Sequence, residues 1–314
     1  MSFYNYRREM QSQPDVRDEK VMSNINFNAK AHLYEKNAIV QKLASDVLLG
    51  LLSIQDGEDV LDLGCGSGGV TKKIALLTTG SVVGIDSSEG MINEAIRNSS
   101  DQQNLSYFVK DAECLGFINT FDVIYCNSAF QWFPHPEKVL EQCFTALKPG
   151  GRMGIQAPAT TMYCPNFIRA IEKVQTNPST REIFSFFKNP WFFLESEEEY
   201  RQLFRDYGFH NIKCEFKEES TRHIADEVYN IFQSGAENGY LNQSFYQVPL
   251  TDDYVETFRI LVKESMKEQS DESGIVNLKF VRVYLAAHKD DQKARVSWQQ
   301  SNRFHPMKRE QGFR

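Results

Sequence analysis

Between residues 58 and 157 the chain switches repeatedly between two hydrophobic periods. Short unbroken runs of aliphatic and β-branched residues occur at EDVLDLG (58–64), SVVGID (81–86), NLSYFV (104–109), FDVIYC (121–126) and RMGIQA (152–157). Runs of this length and composition, bounded by glycine and polar residues, predict strands buried on both faces. Segments 67–78, 88–98 and 136–147 lie between them and carry the wider spacing of helices. Strands alternating with helices predict a parallel sheet covered by helices on both sides.

Outside this stretch the pattern changes. Upstream, Ile39, Leu43, Val47 and Leu51 recur every four positions and predict one apolar face of a helix within 29–52. Downstream, EEYRQLFRDYGF predicts a helix, NIKCEF a strand and LKFVRVYLAAH a final strand. They are separated by an aromatic-rich insert at about 160–195 and a helical insert at about 223–270. Residues 1–28 are polar with mixed charge and read as a flexible arm, and the polar tail 289–314 as disordered. The expected organisation is one α/β domain over 29–288 with two cap insertions.

Composition narrows the function. A net charge of -7 argues against a nucleic-acid partner, because phosphate binding draws on a basic surface. The cysteines at 65, 114, 126, 143, 164 and 214 form no Cys-x-x-Cys pair, so neither a zinc site nor a disulfide framework is suggested and no metal is expected. The apolar stretch from Ala38 to Ile54 is broken by Gln41, Lys42 and Asp46, and the first residues lack a signal-peptide pattern. These features point to a cytoplasmic protein without a membrane span.

Candidate chemistry concentrates in VLDLGCGSGG. Gly64, Gly66 and Gly68 follow a strand and precede a helix, where a turn needs positive φ and a ligand needs close access to the backbone. Gly64-x-Gly66-x-x-Gly69 also satisfies the dinucleotide fingerprint, so the glycines alone do not separate a nicotinamide cofactor from S-adenosylmethionine. Asp62 would repel a pyrophosphate but suits the charged amino-acid end of S-adenosylmethionine. Asp86, 24 residues after Asp62, is placed to accept from ribose hydroxyls, and Asp111-Ala112 to hold an adenine edge. The third acid tilts the balance to S-adenosylmethionine.

VLDLGCGSGG, GIDSSEGM, KDAE at 110–113, FDVIYCNSAFQW and LKPGG together resemble the successive motifs of class I S-adenosylmethionine methyltransferases. Within that class the chain is similar to trans-aconitate, malonyl-carrier-protein and juvenile-hormone-acid methyltransferases, which esterify carboxylates. The resemblance implies a Rossmann-like, seven-stranded, mostly parallel sheet whose last strand is antiparallel. It also implies cofactor contacts at Asp62, Gly64, Gly66, Asp86, Ser87, Met91, Asp111, Ala112 and Asn127. From the juvenile-hormone-acid pattern it implies Gln41 and Trp132 as the residues that hold the acceptor's carboxylate. Tyr34 is expected over the cofactor and Trp191 in an apolar wall for the acceptor.

The expected reaction is methyl transfer to a small molecule, with a carboxylate oxygen favoured because it is ionised at neutral pH and needs no general base. A non-carboxylate acceptor, with His135 as its base, stays open, as does a non-catalytic S-adenosylmethionine-binding partner protein. Arg169 and Arg181 are further candidates, either as a clamp for a second carboxylate or as ordinary solvated side chains.

Overall fold

The computed structural model describes residues 39–99 and 101–290, with side chains from residue 44 onward. The arm at 1–28, Tyr34, the side chain of Gln41 and the tail beyond residue 290 lie outside it. Seven strands form one sheet in the order β3-β2-β1-β4-β5-β7-β6. They are β1 (Val60–Leu63), β2 (Val82–Asp86), β3 (Leu105–Val109), β4 (Phe121–Asn127), β5 (Leu147–Pro158), β6 (Phe209–Ile224) and β7 (Ile275–Lys289). β7 pairs antiparallel with both β5 and β6, so it alone runs against the rest. This is the Rossmann-like arrangement expected from the sequence.

Alternation along each strand divides the core. Leu61, Leu63, Ile124 and Ile155 face one side, where Leu140 of α4 (Pro136–Ala146) and Phe204 of α7 (Glu197–Asp206) cover them. Val60, Val82, Val123 and Tyr125 face the other, under α1 (Ile39–Leu52) and α2 (Gly69–Ala75). The buried stripe of α1 is Ala44, Leu48 and Leu52, whereas Val47 of the expected stripe is 38% exposed. Apolar residues fill two adjacent columns of this helix, and the column one residue further on meets the sheet. Gly154 on β5 accommodates it, since a Cβ there would lie 2.9 Å from Leu52. Arg152 then holds the helix end, donating to Leu52 O at 2.7 Å and pairing with Glu58 at 2.7 Å.

β6 and β7 extend past the end of β5. β5 accompanies β7 only from His288 to Arg282, while β6 pairs with it as far as Ile275. The overhanging ribbon carries Val276, Leu278 and Phe280 into a second hydrophobic core. Residues of α5 (Pro165–Thr176), α8 (Ala225–Ser234) and α10 (Asp252–Glu268) complete that core through Phe167, Phe232 and Phe258. Short helices α6 (Arg181–Phe184) and α9 (Glu237–Tyr240) close its edge. The two insertions thus form one cap on a rigid β-ribbon. α3 (Glu89–Asn98), capped by Ser88, completes the sheet layer.

Candidate functional site

A cavity of about 240 Å³ lies between the carboxyl ends of the parallel strands and the cap, the position where open α/β sheets bind ligands. Its sheet-side wall starts at the glycine turn. Gly64 has φ +75 and a Cβ there would sit 2.4 Å from Ala129 Cβ; at Gly68, φ +82, it would sit 2.4 Å from the Tyr107 hydroxyl. No other residue fits either position without displacing a neighbour. Gly64 N and Cys65 N both donate to Ile85 O at 2.9 Å, tying the turn to β2.

Asp86 ends β2 and organises the loops on both sides. One carboxylate oxygen accepts from Gly66 N at 3.0 Å and the other from Ser88 N at 2.9 Å. Burial raises its pKa against the lowering effect of these two bonds. Ser87, Met91, Asp111, Ala112 and Asn127 border the same cavity. Met91 is buried in the first turn of α3, and Asp111 accepts from Glu113 N at 2.8 Å, capping the short turn that presents Ala112. Asp62 is the exception: it does not border the cavity but lies behind it, 2% exposed, accepting from Thr71 Oγ1 at 2.7 Å. Burial raises its pKa to about 7; the Thr71 bond opposes the shift and nearby Asp86 reinforces it.

The opposite wall is aromatic. Trp132 and Trp191 meet at 5.6 Å between ring centroids, and Tyr163 stacks on Phe193 at 5.5 Å. Trp191 is seated by Tyr240 at 4.8 Å and by the bare backbone of Gly239, where a Cβ would lie 2.2 Å from the indole. The rings of FSFFKNPWFF are not all directed alike: Phe192 packs against Phe130 of the sheet core at 6.1 Å, and Phe186 is 39% exposed.

Two polar side chains that sequence reasoning overlooked also border the cavity. Gln131, 7% exposed, donates from Nε2 to Ser128 O at 3.0 Å, while its Oε1 has no partner among the described residues. Arg282 on β7 is 3% exposed and lies 2.9 Å from Glu219 Oε2, and Tyr284 O–H donates to the other Glu219 oxygen. Burial lowers the Arg282 pKa and Glu219 opposes this. The fully buried Gln156 links the pair to β4. With its amide set to satisfy every neighbour, its oxygen accepts from Arg282 Nη1 at 2.9 Å and Ala157 N at 3.1 Å. Its nitrogen then donates to Asn127 Oδ1 and Ser128 Oγ, each at 2.9 Å. Ser128 itself is held at φ +56, an uncommon backbone state for a residue with a side chain.

A lone arginine in the apolar run LKFVRVYLAAH was the available signal, because a charge inside a buried strand needs a partner. Arg169 and Arg181 are exposed and do not border the cavity, which corrects their candidacy as its anion clamp. His135 also lies off the cavity wall, 52% exposed and 3.4 Å from Glu137. Among the described residues no cluster of His, Cys, Asp or Glu is arranged to hold a metal, and no helix is long and apolar enough to cross a membrane.

Residues 60–151 match the family model described as a methyltransferase domain. The chain is 31% identical over 137 residues to malonyl-[acyl-carrier protein] O-methyltransferase 2 of Ilyobacter polytropus, covering 42% of this chain and 52% of that protein. It is 36% identical over 100 residues to the ubiquinone biosynthesis O-methyltransferase of Coxiella burnetii, covering 31% of this chain and 42% of that protein. The chain therefore spans about half the length of these curated relatives. Among solved structures, Haemonchus contortus phosphoethanolamine N-methyltransferase 2 in complex with S-adenosyl-L-methionine aligns with a TM-score of 0.52 at 19% identity. That alignment covers 84% of this chain and 57% of that one, and is a likeness in fold.

Proposed function

We propose that this chain, whose residues 60–151 form a methyltransferase domain of the S-adenosylmethionine-dependent class, methylates a carboxylate oxygen of a small apolar acid. The observation that carries this reading is one cavity with two chemically distinct halves and no histidine among its described wall residues. Its sheet side offers carboxylates and backbone turns, and its cap side offers rings.

S-adenosylmethionine, when bound, supplies an electrophilic methyl group on a sulfonium. The residues present fit it. Each carboxylate oxygen has more than one acceptor site, so Asp86 can hold Gly66 N and Ser88 N and still accept from ribose hydroxyls. Met91 and Ala112 provide an apolar bed for adenine, Asp111 an acceptor for its amine, and Asn127 with the unpartnered Gln131 Oε1 acceptors for an ammonium. Gly64 and Gly66 let that end approach the backbone. Asp62 acts from behind this wall as a buried carboxylate, and Ser87 stands at its rim.

On the acceptor side the chain has to hold a nucleophile about 3 to 3.5 Å from the methyl carbon and in line with the breaking bond. Trp132 and Trp191 border this half of the cavity, with Tyr34 proposed to complete the enclosure and Gln41 with Trp132 proposed to hold the acceptor's carboxylate. An acceptor that arrives ionised requires no proton to be taken, which suits a wall whose described residues include no histidine. The malonyl O-methyltransferase name among the relatives supports the same chemistry.

The test is transfer from labelled S-adenosylmethionine to medium-chain fatty acids, farnesoic acid, trans-aconitate and malonyl thioesters, with phenols and amines in parallel. Methyl ester formed from an apolar acid, with kcat flat above pH 6, is the expected result. Transfer only to a phenol or amine, with a kcat that follows a base of pKa near 7, would overturn it. That second reading has one observation in its favour, since Gln131 Oε1 would also accept from an acceptor's O–H or N–H.

A further inference from the structure

The strands β4, β5, β7 and β6 are neighbours in that order, and each contributes one side chain to a polar chain across the sheet's carboxyl edge: Asn127, Gln156, Arg282 and Glu219. Asn127 faces the cofactor half of the cavity, and Arg282 borders the half beneath the cap. A buried ion pair contributes little to stability, since apolar residues of similar volume often do as well or better. Arg282 borders the cavity rather than lying inside either hydrophobic core, and Glu219 beside it is a quarter exposed, which calls for a role beyond support.

The donor count of Arg282 gives that role. A guanidinium carries five N–H groups. Here one nitrogen, Nη1, donates to Gln156, and Nε faces Glu219 Oε2 at 2.9 Å. The side chain is thus a buried cation with more donors than acceptors among the described residues, next to the Phe280 ring at 4.7 Å. We propose that Arg282 is a further acceptor-recognising residue of the cavity, binding one oxygen of the acid's carboxylate; the inference rests on the carboxylate reading above. Glu219 keeps the guanidinium's charge partly balanced in the free protein and so sets how strongly it holds an incoming anion.

Held by one oxygen, the carboxylate turns the other toward the methyl group. That oxygen forms the new C–O bond as the methyl–sulfur bond breaks, and the electron pair of the broken bond goes to sulfur. The products at the reacting centre are a neutral ester and a neutral thioether, and no proton moves. Loss of the acceptor's charge removes its charge-assisted bond to Arg282 and favours release of the ester.

The test is calorimetric titration of the S-adenosylhomocysteine complex with decanoate and with decanamide, a neutral compound of the same shape. The wild-type complex should bind decanoate at least about tenfold more tightly, the range expected for a hydrogen bond to a charged group. The double variant Arg282→Met/Glu219→Gln removes both charges and leaves none buried alone. It should bind the two compounds equally, with S-adenosylhomocysteine affinity within about threefold because Gln156 retains its Ala157 bond. Arg282→Lys should keep part of the preference. A preference retained in full by the double variant would overturn the assignment of Arg282 while leaving the carboxylate reading intact. No preference in the wild type, weak binding of both included, would overturn the two together.

Discussion

The two halves of the cavity are held by different forces. On the sheet side, positions are fixed by hydrogen bonds between the ends of the adjacent strands β1 and β2: Gly64 and Cys65 on Ile85 O, Gly66 and Ser88 on Asp86. On the cap side they are fixed by packing among residues far apart in sequence, with Trp191 resting on Trp132, Tyr240 and Gly239. Hydrogen-bonded turns have few alternative geometries, whereas a ring cluster changes shape by small steps. The sheet side should therefore fail abruptly when altered, and the cap side gradually.

Asp86→Ala gives the largest expected effect. It leaves two partly buried N–H groups without their charged acceptor and removes the proposed ribose contact. Each bond to an ionised group contributes about 1.5–3 kcal/mol, so S-adenosylmethionine affinity should fall by more than about 100-fold. Calorimetry measures this directly. Affinity within about threefold of wild type would mean the loops hold their shape unaided, and the contrast between the halves would disappear.

Trp191→Ala should have a smaller and selective effect. Ring pairs add about 0.5–1.5 kcal/mol each beyond their buried area, and this ring meets Trp132 and Tyr240. The KM for an apolar acid should rise by about 10- to 50-fold, and S-adenosylmethionine affinity should stay within about twofold. Equal losses of both would show that the halves behave as one packed unit.

The same contrast explains what the sequence made legible. The order of strands and helices from 58 to 157, and the gathering of Gly64, Asp86, Asp111 and Asn127 at one cavity, could be read because they fall in recurring motifs within one continuous stretch of chain. Arg282 was missed because its meaning depends on Glu219, Gln156 and Asn127, three residues brought beside it only by the sheet order. The direction of each ring in FSFFKNPWFF was illegible for a related reason. Phe192 turns into the sheet core while Trp191 and Phe193 border the cavity, and the backbone bond from Phe192 N to Gln131 O that fixes this turn leaves no mark on composition. The inward stripe of α1 was misjudged by one residue because two adjacent columns of that helix are apolar, and only Gly154 on β5 decides between them.

Buried charge gives the last expected effect. In the cap half, Arg282 is matched by Glu219. In the cofactor half, Asp62 has no basic partner among the described residues: burial raises its pKa from 3.8 to about 7, Thr71 opposes the shift, and the neighbouring charge of Asp86 adds to it. A carboxyl whose pKa is higher in the folded state binds its proton more tightly there than in the unfolded chain. Its stabilising contribution is complete below about pH 4 and is lost as pH rises through about 7. Asp62→Asn keeps an oxygen for Thr71 but cannot ionise, so this term vanishes. Relative to wild type, the variant should gain about 1–3 kcal/mol between pH 5.5 and pH 8, measured by urea unfolding of the ligand-free protein. Saturating S-adenosylmethionine, which carries an ammonium and a sulfonium, should shrink that difference by favouring ionised Asp62. A wild-type-to-variant difference that stays constant with pH would show that Asp62 holds the same charge throughout, and that the cofactor half carries no unbalanced acid to set against the matched pair under the cap.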